Sequence, residues 1–248
     1  MALSDEQRAA WYDAENTWGD DDGLFLELAN ATPHRRVLDL GCGTGRLTTA
    51  LAAAGHIVTG VDPDVGALES AARKPHGEKV GWLVGTSSAL LRGAAFDLAL
   101  MTGHVAQAIV GAEEWAETLA DLHRVLVPGG TLAFDSRDPD AHAWKRWNPD
   151  DSRAQMELPD GSRVEGWYEV LDVAPSADGG LTIVTFDDHG VFPGGVHETT
   201  TASLAFRTER RLREDLTRAG FTVERVDSGW HGEPVGAGVG ELVVVARK

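Results

Sequence analysis

The 248-residue sequence predicts an α/β chain, a doubly wound and mostly parallel sheet of seven strands with an antiparallel β insertion after the fifth strand. Three observations predict it. Between residues 37 and 134, short apolar runs alternate five times with segments of helical periodicity, which calls for parallel strands joined by crossovers and covered on both faces. The first run meets glycines at alternate positions, Gly41, Gly43 and Gly45, as a strand does on entering a ligand-binding turn before a helix. Between residues 163 and 208 the period falls to two, clearest where Val196, Thr200, Ala202, Leu204 and Phe206 share one parity and His197, Thr199, Thr201 and Ser203 the other.

The elements follow in order. Residues 1–30 form a helical cap segment in which Leu24, Phe25 and Leu28 share a face. Asp20, Asp21 and Asp22 precede that face; consecutive residues point in different directions, so they read as an acidic helix start and not as a metal cluster. No metal site is expected. Residues 37–40 make the first strand, and Leu47, Ala50, Leu51 and Ala54 mark a helix stopped by Gly55. A second strand over residues 57–61 ends at Asp62. Val65, Leu68 and Ala72 mark the next helix, followed by strands over residues 79–84 and 96–101. Trp115, Leu119, Leu122 and Leu126 recur at four, three and four residues, an amphipathic helix terminated by Pro128, Gly129 and Gly130. Residues 131–134 are the fifth strand, ending at Asp135. Turn-rich pieces at 175–180 and 193–195 divide the insertion, which is expected to lie over the carboxyl edge of the sheet. Thr208 caps a last helix carrying Leu212, Leu216 and Ala219, Gly220 stops it, and residues 221–226 and 241–246 close the sheet.

Composition narrows the function classes. With 42% hydrophobic residues the chain can bury a full core. The single cysteine, Cys42, excludes an intrachain disulfide framework and a cysteine-built zinc site. No apolar run approaches the roughly 20 residues of a membrane span, and the start has neither a basic nor an apolar run, so no membrane partner and a cytoplasmic location are expected. A formal charge of −17 repels phosphate backbones, so nucleic acid is not expected as a partner.

Two cofactor classes use a glycine turn followed by an acid at the end of the second strand, because each carries an adenosine whose ribose diol a carboxylate can hold. Asp62 is that acid. A Rossmann-like dinucleotide fingerprint needs its third glycine three residues after the second, whereas Gly45 comes two after Gly43. The run Val-Leu-Asp-Leu-Gly-Cys-Gly-Thr-Gly from residue 37, Val-Asp-Pro-Asp after the second strand and Leu-Val-Pro-Gly-Gly before the fifth together resemble the class I S-adenosylmethionine-dependent methyltransferases. The resemblance covers residues 35–135 strongly and the final helix and strands weakly. It implies a seven-stranded Rossmann-like sheet whose last strand is antiparallel, and S-adenosylmethionine as cofactor.

The resemblance also implies site residues. Asp39, Gly41, Cys42 and Gly43 would line the methionine portion, Asp62 would accept from the ribose hydroxyls, and Pro63 would pack by the adenine. The family often has an acid after the third strand; here Thr86 and Ser87 stand in its place, so hydroxyls or backbone substitute. Thr102 and Gly103 occupy the place where backbone meets the methionine ammonium. Cys42 reads as a small side chain in a crowded turn and not as a nucleophile.

Methyl transfer by in-line displacement needs alignment more than acid–base chemistry. Should a base act, the candidates are His104, after the fourth strand, and His142, after the fifth; His104 is the catalytic choice. The small-molecule acceptor is expected among aromatic residues, with Tyr12, Trp18, Trp144 and Trp230, together with His142, forming its pocket; Trp147, Trp167 and Tyr168 belong to the same aromatic-rich region. Arginines between 207 and 218 read as the solvated face of a helix. The organisation is then a cap of residues 1–30, a cofactor-binding core of 31–137 and 207–248, and an insertion of 138–206 as acceptor-binding lid. A non-catalytic S-adenosylmethionine binder and an NAD-dependent oxidoreductase are the alternatives.

Overall fold

The computed structural model describes residues 3–248 except 92 and 94, so the first two residues of the 1–30 segment lie outside the described residues. The chain opens with α1 (Asp5–Glu15) and α2 (Asp20–Asn30), then runs β1 (Arg36–Leu40), α3 (Arg46–Ala53), β2 (Ile57–Asp62), α4 (Val65–Arg73), β3 (Gly81–Val84), β4 (Phe96–Met101), α5 (Val105–Ala108), α6 (Ala112–Val125) and β5 (Leu126–Arg137). A short α7 (Pro149–Ser152) leads into β6 (Ala154–Glu157), β7 (Arg163–Pro175), β8 (Leu181–Phe192) and β9 (Val196–Arg207). The final elements are α8 (Glu209–Arg218), β10 (Thr222–Asp227) and β11 (Glu241–Arg247).

Seven strands form one sheet in the order β10-β11-β5-β4-β1-β2-β3, with β11 antiparallel to both its neighbours. Strand side chains alternate between the two helical layers. Leu38, Ala99, Met101 and Val244 pack with Trp115, Leu119 and Leu212 from α6 and α8. Val37, Leu98, Leu100 and Val243 pack with Phe25, Leu47 and Leu51 from α2 and α3. The chain leaves β1 toward β2 and β3 and returns to β4 on the other side, so strand order reverses between β1 and β4, where doubly wound sheets open a ligand crevice.

The remaining strands form a second, antiparallel sheet in the order β6-β7-β8-β9. Its inner row carries Tyr168, Val170, Val184, Phe186, Asp188, Thr200 and Leu204, fixed by the pairs Tyr168 with Asp188, Val170 with Phe186, Asp188 with Thr200 and Val184 with Leu204.

Two local expectations are revised. α6 ends at Val125, and Pro128 to Gly130 belong to the start of β5: Leu126 pairs with Phe96, the register then shifts, and Gly129 N–H donates to the Lys248 carbonyl at 3.0 Å. The third strand starts at Gly81, because residues 77–79 close a 3-10 turn. Two helices, α1 and α2, fill the N-terminal segment. α1 is held by a reciprocal cap in which the Ser4 hydroxyl accepts from Gln7 N–H and the Gln7 side chain accepts from Ser4 N–H.

Candidate active site

The turn after β1 has three glycines, all at positive φ, of 75° at Gly41, 50° at Gly43 and 75° at Gly45. Two of them are packed. A Cβ on Gly41 would lie 2.4 Å from Val105, and one on Gly45 would lie 2.8 Å from Ala71 and 2.9 Å from Trp82. At Gly43 the nearest atom would be Tyr12 Cε1 at 3.9 Å, so this glycine presents open backbone to a ligand.

Asp62 secures that exposed backbone. Its carboxylate accepts from Gly43 N–H at 2.7 Å and from Asp64 N–H at 2.9 Å, leaving lone pairs for a ligand hydroxyl. Asp39 is buried; one oxygen accepts from the Thr48 hydroxyl at 2.6 Å, the other has no partner among the described residues, and burial lifts its carboxyl to about 6. Burial together with Asp39 and Asp62 also pushes the Cys42 thiol far up, which keeps it protonated and removes it as a nucleophile.

α1 lies against this turn. Thr44 donates to Asp13 at 2.5 Å, Lys74 pairs with Asp13 at 2.7 Å, and Arg46 holds Asp22 at 3.1 Å while donating to the Thr17 carbonyl. The other side of α1 faces the second sheet. Trp11 packs edge-on to Phe192 with ring centroids 5.2 Å apart, and a Cβ on Gly190 would lie 2.7 Å from its ring. Glu15 accepts from the Tyr168 hydroxyl at 2.6 Å.

Between turn and second sheet runs one cleft of about 970 Å³. Of the residues expected to bind cofactor, Gly41, Gly43, Asp62, Pro63, Thr86, Ser87 and Gly103 line it; Asp39, Cys42 and Thr102 stand outside the lining. Ser87 is buried and donates to Asp121 of α6 at 3.1 Å, which fixes its hydroxyl. Open backbone at Gly43, a carboxylate at Asp62 and hydroxyls at Thr86 and Ser87 fit an adenosyl ligand.

His104 also lines the cleft. Its Nε2–H donates to Glu241 at 2.9 Å with Asp135 at 3.4 Å, and its backbone N–H donates to Asp135 at 2.8 Å, so the ring is clamped and Nδ1 is the nitrogen left over. Asp135 is fully buried, and its carboxyl is lifted to about 6, chiefly by burial.

The expected acceptor residues divide. Tyr12 lines the cleft beside Gly43. Trp144 does not: it packs on Phe206 with centroids 4.6 Å apart, in the small core beneath the second sheet. Trp230 packs against the α2–α3 layer, His142 donates from Nδ1 to the Asp140 carbonyl at 2.7 Å, and Trp18 stays half exposed outside the lining. Trp167 stacks on His189 at 4.9 Å, on the parity opposite Tyr168 and Asp188. Their places on the cleft wall are taken by Trp147, Tyr168, Phe186, Asp188, Arg137 and Glu15. Alternation along β8 puts Phe186 and Asp188 on one parity, but only the docking of the second sheet decides that this parity faces the cleft.

Comparison with known proteins agrees with the geometry. Residues 37–130 match a family model described as a methyltransferase domain. A cypemycin N-terminal methyltransferase from Streptomyces is 29% identical over 91% of this chain and 89% of its own length. The fold is shared with the CcbJ methyltransferase of Streptomyces caelestis, 21% identical with a TM-score of 0.73 over 95% of this chain and 94% of that one. It is shared too with an amino pentose methyltransferase of Micromonospora echinaspora solved with SAM bound, 18% identical with a TM-score of 0.69 over 100% and 98%. The glycine turn, the acid that ends β2, the sheet order and these likenesses converge: the chain is an S-adenosylmethionine-dependent methyltransferase with the class I fold.

Proposed function

We propose that the enzyme methylates a small-molecule nucleophile held between the glycine turn and the second sheet, with residues 138–206 as acceptor-binding lid, 1–30 as cap, and 31–137 with 207–248 as cofactor core. The observation that carries this reading is the continuity of the cleft, whose cofactor wall of Gly43 and Asp62 runs on to an aromatic wall of Trp147, Tyr168 and Phe186. The volume of about 970 Å³ suits cofactor and a compact acceptor together. Nitrogen is the acceptor atom best supported, since relatives are named for an N-terminal and an amino pentose substrate. The net charge of −17 supports a reading without nucleic acid. No helix among the described residues is long and apolar enough to cross a membrane, and with a single cysteine we place the enzyme in the cytoplasm.

S-adenosylmethionine supplies a methyl already activated on a sulfonium sulfur. The chain's own residues would hold it: Gly41 and Gly43, supported by Asp39 and Cys42 from outside the lining, the methionine portion, Asp62 and Pro63 the ribose and adenine, Thr86 and Ser87 the far adenine edge, and Gly103, supported by Thr102, the ammonium. His104 is the sheet-side candidate for moving a proton, through Nδ1. Calorimetric titration with S-adenosylhomocysteine, followed by transfer of labelled methyl to a panel of small amines, alcohols and short peptides, tests the reading. Micromolar binding and small-amine products are expected; methylation of peptides alone would replace it with a peptide-modifying function.

A further inference from the structure

The structure assigns Asp188, seconded by the Glu15–Tyr168 pair, as the site that captures the acceptor as a protonated amine and takes its proton. The assignment rests on the small-molecule reading above and names the group within that cleft that selects the acceptor.

Asp188 sits on the inner row of β8, between Tyr168 of β7 and Thr200 of β9, and all three line the cleft. Its carboxylate makes no hydrogen bond among the described residues, and Oδ1 is buried. A buried acceptor left unpaired costs free energy unless something completes it. Its titratable neighbours are Glu15 from α1 and Tyr168 from β7, with Arg137 from β5 near Tyr168, and Tyr12, Arg8, Arg46, His104 and Glu198 line the same cleft. Arg137 lies over the Trp147 ring at 5.5 Å, its Nη1–H donates to Gln107 Oε1 at 3.2 Å, and among the described residues it makes no hydrogen bond with Asp188. Glu15 takes the Tyr168 hydroxyl, and that hydroxyl is held protonated by burial and by Glu15. The lid side of the cleft therefore offers two carboxyl groups beside the aromatic rings of Trp147, Tyr168 and Phe186. A compact ammonium satisfies both demands, by charge toward the carboxylates and by cation–π contact with the rings.

Burial and Glu15 lift Asp188 to about 7, a carboxyl that exchanges a proton near neutral pH. An ammonium has no lone pair, so one N–H proton passes to Asp188. The freed nitrogen pair forms the N–CH3 bond as the S–CH3 bond breaks with its electrons returning to sulfur. The products are a methylated ammonium, neutral S-adenosylhomocysteine and protonated Asp188, which returns its proton to solvent. His104 is less suited, because its Nε2–H is committed to Glu241 and its ring is clamped by Asp135.

The test uses the full-length enzyme saturated with S-adenosylhomocysteine, titrated calorimetrically with benzylamine and with benzyl alcohol. Benzylamine is expected to bind at least tenfold tighter. Asp188→Asn is expected to erase that preference while cofactor-product affinity stays within twofold, which also certifies the fold; Glu15→Gln is expected to reduce it partly. Equal binding of amine and alcohol, or an amine preference that survives Asp188→Asn, overturns the role of Asp188 and leaves the small-molecule reading standing. A complex that binds neither probe overturns both.

Discussion

Gly43 and Gly45 have similar backbone and opposite surroundings. At Gly45 a methyl meets Ala71 and Trp82 within 3 Å, and at Gly43 it meets open cleft. Gly45→Ala is therefore expected to cost about 1–3 kcal/mol of folding stability from left-handed strain and overpacking, read as a lower urea midpoint. Gly43→Ala should lose at most about 1–2 kcal/mol, yet weaken S-adenosylhomocysteine at least tenfold by calorimetry, because the added methyl stands where ligand must approach. If the two variants lose stability equally and binding not at all, the division of labour in the turn is wrong. These positions were legible in the sequence because a missing side chain leaves a mark no other residue leaves. Asp188 was not legible: an acid in a β-strand reads as solvent-facing until the register shows what covers it. Trp144 failed for the converse reason, since aromatic residues serve cores and pockets with the same chemistry.

α1 shows what periodicity reveals and what it hides. Its eleven residues carry little apolar pattern, yet Trp11, Tyr12, Asp13 and Glu15 each reach a different partner, on β8, the glycine turn, Thr44 and Tyr168. Sequence gave the segment as helical cap without separating it from α2. Trp11→Ala is expected to cost about 3 kcal/mol of stability. It should also raise the acceptor KM more than it weakens S-adenosylhomocysteine, since Trp11 braces the second sheet and not the turn; an equal loss of both would contradict this. α8 behaves as its composition says, with Arg210–Glu214 and Arg213–Glu209 pairs at 2.8 Å along an exposed face. Arg207 departs from it. Buried at the end of β9, it donates to the Ala106 carbonyl at 2.8 Å and lies over Trp115, tying the second sheet to α5 and α6. The strands of that sheet were visible as alternation, but which parity faces the cleft depends on its docking, which no local pattern records.

The chain as a body holds its charge at a cost. Asp39 and Asp135 are fully buried beside other acids and lifted to about 6 from an ordinary 3.8. For such groups the folded state binds protons more tightly than the unfolded chain, so stability falls as pH rises from about 4 through 6 and stays reduced above. The net charge of −17 acts in the same direction. The ligand-free enzyme is thus expected to melt several degrees higher at pH 5.5 than at pH 7.5, and Asp39→Asn should flatten that slope. A melting temperature that rises steadily from pH 5.5 to 7.5 would contradict the assignment. Doubly wound core, cofactor turn and insertion were all legible from the order of elements, because each rests on local pattern. The wall proposed for the acceptor was not, because residues from α1, β5, β7 and β8 meet there only after folding. This has a temporal side. The Glu15 to Tyr168 bond spans 153 residues, and Trp11 packs on Phe192, so α1 finds these partners only after the chain that separates them exists. α1 can dock on the second sheet only once β7 and β8 exist, and the wall proposed for the acceptor is complete only then.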